Sequence, residues 1–111
     1  MPQGGYRLRT IQNIVDSDAT AVIYFGQLEG GTELTVLHCI RRHKPYKLVD
    51  AETLSAAEAA ILVHDFLTVN QVATLNVAGP RQSKAPAAQS YAYDFVTQLL
   101  RIAARQDLRA G

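Results

Sequence analysis

Two glycine-containing loops hold the residues of this chain whose types and spacing favour binding of an anion. The first loop begins at Gly26 and presents Gly30, Gly31, Thr32 and Glu33 just before a helical pattern. A strand, a glycine loop and a helix start together direct backbone N–H groups at one point, where the helix dipole adds positive potential. Glycines also close ordinary turns between strands and helices, so this loop alone is weak evidence for a phosphate site.

The second loop brings a different set of groups, namely Asn76, Gly79, Arg81, Ser83 and Lys84. Arginine offers a two-pronged hydrogen-bond donor, lysine a point charge and serine a hydroxyl, while glycine allows the backbone to approach closely. The simpler interpretation is that both cations are solvated loop charges. Because each loop follows an apolar run typical of a strand, we expect the two loops to form a two-sided phosphate site at one sheet edge.

Apolar patterns predict seven elements in the order α-β-α-β-α-β-α. Helices are expected at residues 7–15, 32–43 with Thr32 as the cap, 55–69, and from about 87, and strands at 20–25, 46–49 and 72–77. The first strand is a continuous apolar run, which is typical of a strand buried on both faces. Ser55 and Glu58 form a capping box, and Pro45 ends the preceding helix. This alternation predicts the α/β class: one three-layer, Rossmann-like domain over residues 1–111, with about three parallel strands.

Helical spacing also predicts which side chains face the core. The inward residues are expected to be Leu34, Val36, Leu37, Cys39 and Ile40, then Ile61, Leu62, Phe66 and Leu67, and finally Tyr91, Phe95, Val96, Leu99, Leu100 and Ala103. The stripe of Arg101, Arg105 and Arg109 on the last helix is predicted to be solvated.

The composition is that of an ordinary globular domain. The chain has 111 residues, of which 48% are hydrophobic and 19% charged, and a net charge of +1 gives no reason to expect nucleic acid or a membrane surface as partner. Cys39 is the single cysteine, which fits the reducing cytosol, and the first five residues lack the apolar core of a signal peptide. The longest apolar stretch, residues 56–66, is too short and too charged to span a bilayer.

Metal binding and catalysis find little support in the residue pattern. His38 and His43 lie about 140° apart around a helix, and two ligands such as Cys39 and His43 do not make a site. No paired carboxylates, nucleophile elbow or catalytic triad can be assembled. We therefore expect no metal ligands and no catalytic residues.

Three blocks of sequence resemble the family of putative molybdenum carrier proteins. The blocks are residues 9–20, 30–35 and 75–84, the last reading Leu-Asn-Val-Ala-Gly-Pro-Arg-Gln-Ser-Lys. They occur in the family's order and spacing, and the resemblance extends from about Tyr6 to Leu100. It implies a Rossmann-like fold similar to LOG-type, lysine-decarboxylase-like phosphoribohydrolases, and a ligand that is either the molybdenum cofactor or a nucleotide.

The chain departs from that family in two places. Family members begin with a strand and a glycine-rich nucleotide loop, whereas Gly4-Gly5 here has no strand before it, so the chain is expected to lack the amino-terminal part. LOG-type enzymes place a catalytic glutamate three residues after the threonine of the glycine motif, where this chain has Thr35. If the strand order is sequential, both crossover helices share one face and the first strand is an edge, which predicts a homodimer that covers the exposed surface.

Three functions are compatible with the sequence. The first is a cytoplasmic binding protein for a small phosphate-bearing ligand, held by the ten residues of the two loops. The second is a nucleoside-monophosphate phosphoribohydrolase of the LOG type, which Thr35 disfavours. The third is a non-catalytic interaction subunit, which the missing amino-terminal part favours.

Overall fold

The computed structural model describes residues 11–80 and 87–110, with side chains as far as residue 105. The strands are β1 (Ala19–Tyr24), β2 (Tyr46–Asp50) and β3 (Leu75–Ala78), and the helices are α1 (residues 11–16), α2 (Gly30–Arg41), α3 (Ala56–Val69) and α4 (Ala88–Ala110). The predicted α/β class and element order are confirmed, with β1 one residue earlier than expected and β3 starting three residues later. Residues 7–10, the start of the first predicted helix, lie outside the described residues.

The sheet is parallel, with the strand order β2-β1-β3. Thr20 of β1 is opposite Tyr46 on one side and Asn76 on the other, so β1 is the central strand. The expectation that β1 forms an edge was wrong. β1 is buried from Ala19 to Ile23, whereas β3 is half-buried throughout, and a strand so apolar is best covered with a neighbour on each side. The homodimer stays a prediction, and the edges open to a partner strand in the described sheet are those of β2 and β3.

The helices lie on both faces of the sheet. α3 and α4 pack on each other and cover one face, where a buried cluster comprises Ala21, Ile23, Val49, Ala59, Ala60, Val63, Phe95 and Leu99. α2 packs against the opposite face of β1, where Cys39 lies beside the hydroxyl of Thr20. The chain moves from β1 outward to β2 and then back across the sheet to β3. Right-handed connections in opposite directions put their helices on opposite faces, so the expectation of one shared face was wrong.

The face of α2 that packs on the sheet differs from the face that its leucines predicted. Its buried residues are Thr32, Thr35, Val36, His38 and Cys39. The predicted inward residues Leu34, Leu37 and Ile40 are 40%, 41% and 51% exposed. Small residues on the inner side let the helix backbone approach the sheet, and the threonine hydroxyls are satisfied by backbone carbonyls one turn earlier.

The same preference for small residues orients α3. Ala59, Ala60 and Val63 are buried against the sheet, while the predicted inward residues Ile61 and Leu62 are exposed. On α4, Phe95 and Leu99 are buried as predicted, but Leu100 is exposed. Arg101 and Arg105 are exposed as expected, and the side chain of Arg109 lies outside the described residues.

The ends of the helices agree in part with the sequence pattern. Ser55 and Glu58 form the predicted capping box: the Ser55 hydroxyl accepts the Glu58 N–H at 3.1 Å, and the Glu58 carboxylate accepts the Ser55 N–H at 2.9 Å. Thr32 does not cap α2, because the helix begins two residues earlier at Gly30, with Glu29 as the N-cap. α2 also ends before His43, which has a φ of 56°.

Asp18 ties the amino-terminal end of β1 to β3. Its carboxylate accepts the N–H groups of Ala73 and Thr74, both at 2.9 Å, and its own N–H donates to the carbonyl of Thr74. These bonds lower the pKa of Asp18. The carboxylate therefore helps to fix the register of β3, a strand of only four residues.

We expect Ser55→Ala to lower the free energy of unfolding by about 1 kcal/mol, the usual effect of removing an N-cap side chain. Urea unfolding followed by circular dichroism measures this. Ser55→Asn restores a capping oxygen and is expected to recover most of the loss. A free energy for Ser55→Ala equal to that of the parent would contradict the role given to the capping box.

We expect Asp18→Ala to lower the melting temperature at neutral pH, because the backbone donors of Ala73 and Thr74 lose their acceptor. A pKa lowered by folding contributes stability above the unfolded value near 4, and this contribution is lost as the pH falls through the folded value. The difference in melting temperature between Asp18→Ala and the parent should therefore become smaller below about pH 4. Asp16→Ala, which removes a carboxylate that bonds Gln12 in its own helix, is the matched control. A difference in melting temperature that does not change with pH would refute the role given to the Asp18 carboxylate.

Candidate functional site

The carboxyl ends of β1 and β3 form the candidate site. The two strands are neighbours, and their last paired residues are Val22 and Ala78. β1 continues into α2 on one face of the sheet, whereas β3 leads toward α4 on the other. Connections that diverge in this way leave a crevice between the two strands, which is where open parallel sheets bind ligands.

The amino terminus of α2 supplies unbonded backbone donors on one side of the crevice. Glu29 is the N-cap in extended conformation, but no side chain caps the helix within the described part of the chain. The first N–H groups of a helix have no partner inside the helix, and the dipole makes them attractive to anions. Gly30 has a φ of 58°, which only glycine adopts readily. Gly31 and Glu33 are exposed in the first turn, and Thr32 is buried, its hydroxyl donating to the Glu29 carbonyl at 2.7 Å.

Gly26 faces carboxylates rather than the crevice. Its N–H donates to the Asp50 carboxylate at 2.9 Å, and the same oxygen accepts the Glu52 N–H at 3.0 Å. Gly26 has a φ of 77°, and the Glu52 carboxylate occupies the space that a Cβ would need. The backbone donor of Gly26 is therefore already engaged, and the β2 side of the crevice is negative. Sequence reasoning missed Asp50 and Glu52, although Asp50 ends a parallel strand, which is itself a signal.

The β3 side of the crevice contains the rest of the predicted residues. Gly79 directly follows β3 at the crevice. Asn76 lies two residues before the end of the strand, and its side-chain amide donates to the Thr20 hydroxyl at 3.3 Å, on the face that α2 covers. Arg81, Ser83 and Lys84 lie outside the described residues.

A pocket of about 210 Å³ opens between the end of β3 and the first turn of α4. Its lining comprises Ile23, Val77, Ala78, Gly79, Pro80, Ala88, Gln89 and Ala92. A Cβ added to Gly79 would lie 3.8 Å from the Cβ of Ile23, which is ordinary contact. Sequence reasoning found Gly79 but missed the residues of α4, because helical spacing alone gives no position relative to β3.

Tyr91 holds the start of α4 over the end of β1. Its ring meets that of Phe25 edge to face, with centroids 6.0 Å apart and an interplanar angle of 69°. Its hydroxyl donates to the Leu54 carbonyl at 2.9 Å. Burial raises the pKa of Tyr91, and the negative charges of Asp50 and Glu58 raise it further. The phenol therefore stays neutral and acts as a fixed donor that positions one wall of the pocket.

Among the described residues, few side chains could perform chemistry. Burial raises the pKa of the Cys39 thiol, so it is a poor nucleophile. Thr35 is buried, and its hydroxyl donates to the Gly31 carbonyl at 2.9 Å. In the part of the chain that the structure describes, His, Cys, Asp and Glu side chains form no group of three or more that could hold a metal ion. Within the same residues, none of the helices is long and apolar enough to cross a membrane.

The fold is that of a partial, Rossmann-like α/β protein. Its crevice lies beside the central strand β1, where the connections after β1 and β3 lead to opposite faces of the sheet. The model of the circularly permutated YpsA SLOG family matches residues 1–100, so the chain belongs to that family. The crystal structure of a putative molybdenum carrier protein from Syntrophus aciditrophicus SB is similar, with 34% sequence identity and a TM-score of 0.81. The match covers 86% of this chain and 60% of that one, so the chain spans about three fifths of its structural relative. No curated protein matches the chain.

Proposed function

We propose that the protein binds a small phosphate-bearing ligand at the carboxyl ends of β1 and β3. The observation that carries the proposal is the strand order β2-β1-β3, which makes the strand before α2 a neighbour of the strand before Gly79. The uncapped start of α2 can then meet the same ligand as the loop that includes Arg81 and Lys84. The ligand is the molybdenum cofactor or a nucleotide, and the similarity to a putative molybdenum carrier protein favours a ligand that contains molybdenum.

The charges around the crevice favour one position for the phosphate. Asp50 and Glu52 make the β2 side negative. The dipole of α2 makes its start partly positive and Glu33 adds one carboxylate to the first turn, while Arg81 and Lys84 follow β3 in the sequence. An anion would therefore be repelled from the β2 side and attracted to the side between α2 and the β3 loop.

Binding is favoured over hydrolysis. At Thr35, where LOG-type enzymes would have a glutamate, the side chain is buried and engaged with the Gly31 carbonyl. The Thr35 side chain therefore cannot take the place of the catalytic carboxylate of those enzymes. The alternative of a purely structural interaction subunit predicts that phosphate compounds leave the melting temperature unchanged.

We expect Gly31→Asp to weaken binding of AMP or pyrophosphate by at least about tenfold, because a second carboxylate in the first turn, in addition to Glu33, repels an anion there. The same carboxylate interacts favourably with the helix dipole, so the melting temperature of the free protein should not fall. Isothermal calorimetry and thermal denaturation give the two readouts.

Gly31→Asn is the matched control, since it has the size of the aspartate without the charge. It should bind more tightly than Gly31→Asp. Equal affinities for the two variants would exclude the start of α2 as the anion site.

We expect Arg81→Ala to reduce affinity for the same compounds by about 10- to 100-fold, the range for one charge-assisted hydrogen-bonding group. Arg101→Ala removes an exposed cation from α4 and is expected to bind like the parent. Calorimetry at fixed ionic strength measures both. Unchanged affinity in Arg81→Ala would show that the loop after β3 is not part of the anion site.

A further inference from the structure

The pocket between β3 and α4 differs chemically from the proposed phosphate position. Seven of its eight described lining residues are apolar or glycine, and Gln89 is the exception. The pocket lies on the face covered by α3 and α4, whereas the start of α2 belongs to the other face. An anion gains nothing from apolar walls, so this pocket suits a different part of a ligand.

The volume limits what can enter. Pockets that enclose a whole drug-sized ligand measure roughly 300–1,000 Å³, whereas a cavity of about 150 Å³ accepts one benzene ring. At about 210 Å³ this pocket has room for one ring or two fused rings and would enclose only part of a nucleotide. Ile23, which is buried, is one of its lining residues.

We infer that the pocket is the receptor for the flat heterocycle of the ligand. This inference rests on the proposed function and names the ligand class, a fused nitrogen heterocycle linked to phosphate. Such a ring presents apolar faces to Val77 and Ala92 and carries hydrogen-bonding groups on its edge. Gln89, on the first turn of α4, has both a donor and an acceptor in its side-chain amide and reads that edge.

Gly79 and Ala92 set the width of the pocket from opposite walls. Neither has a side chain beyond a methyl group, which leaves the gap between β3 and α4 open. Among the described residues, the nearest atom to the position that a methyl group on Gly79 would occupy is 3.8 Å away, so alanine fits there without displacing Ile23. Gly79→Ala therefore narrows the pocket without disturbing the fold, and Ala92→Leu fills it.

The test compares probes with and without a ring. GMP, AMP and a pterin phosphate represent the two sources of the heterocycle, and ribose 5-phosphate carries phosphate alone. At least one ring compound should bind about tenfold or more tighter than ribose 5-phosphate to the parent protein. Ala92→Leu and Gln89→Leu should each reduce that preference, with affinity for ribose 5-phosphate unchanged, and Gly79→Ala should reduce the preference as well.

Ala104→Leu, the same substitution at an exposed site about three turns along α4, is the matched control and should keep the preference. Equal affinity with and without the ring, or a preference that survives Ala92→Leu and Gly79→Ala, would overturn the inference.

Guanosine and a phosphate-free pterin separate this inference from the proposed function. If these rings shift the amide resonances of Gly79 and Ala92 while ribose 5-phosphate does not bind, the phosphate site is refuted and the ring pocket stands. If ribose 5-phosphate binds and no ring adds affinity or shifts these resonances, the ring pocket is refuted and the phosphate site stands. If neither ring nor phosphate compounds bind, both are refuted.

Discussion

Burial of β1 on both faces and both edges is the constraint on which the other elements depend. A strand that is buried from Ala19 to Ile23 needs a neighbour on each side and a helix layer above and below. Right-handed connections meet this need by sending α2 to one face and α3 to the other. The crevice between β1 and β3 is a consequence of this arrangement, since the chain leaves these neighbouring strands toward opposite faces.

The crevice has two chemically distinct sides. Asp50 holds the N–H of Gly26 and, with Glu52, makes the β2 side negative. The β3 side is apolar and open, with α4 fixed by the bond between Tyr91 and the Leu54 carbonyl. In the binding mode proposed above, the phosphate would lie at the start of α2, away from Asp50 and Glu52, and the ring in the pocket beside Gly79. The loop with Gly30 and Gly31 is thus one of several segments that line the crevice.

Features that depend on neighbours along the chain were predictable. The capping box at Ser55 and Glu58 requires only a spacing of three residues, and the burial of β1 requires only a continuous apolar run. Helix faces were less predictable. The rule that large apolar residues point inward gave Leu34, Leu37 and Ile40, but close packing on a parallel sheet favours threonine, alanine and cysteine. On both helices the contact surface includes small residues, namely the threonines and Cys39 of α2 and Ala59 and Ala60 of α3, which allow close packing.

The sequence by itself determined the element types, the alternation of strands and helices, the double-sided burial of β1 and the two loops that could hold an anion. Only the tertiary structure decided the strand order, the engagement of Gly26 by Asp50, the bond between Asn76 and Thr20, and the pocket beside Gly79. The physical reason is the separation along the chain over which each kind of interaction acts. Propensity, capping and turn chemistry act over a few residues, whereas strand order and pocket shape arise from contacts between segments far apart in the chain.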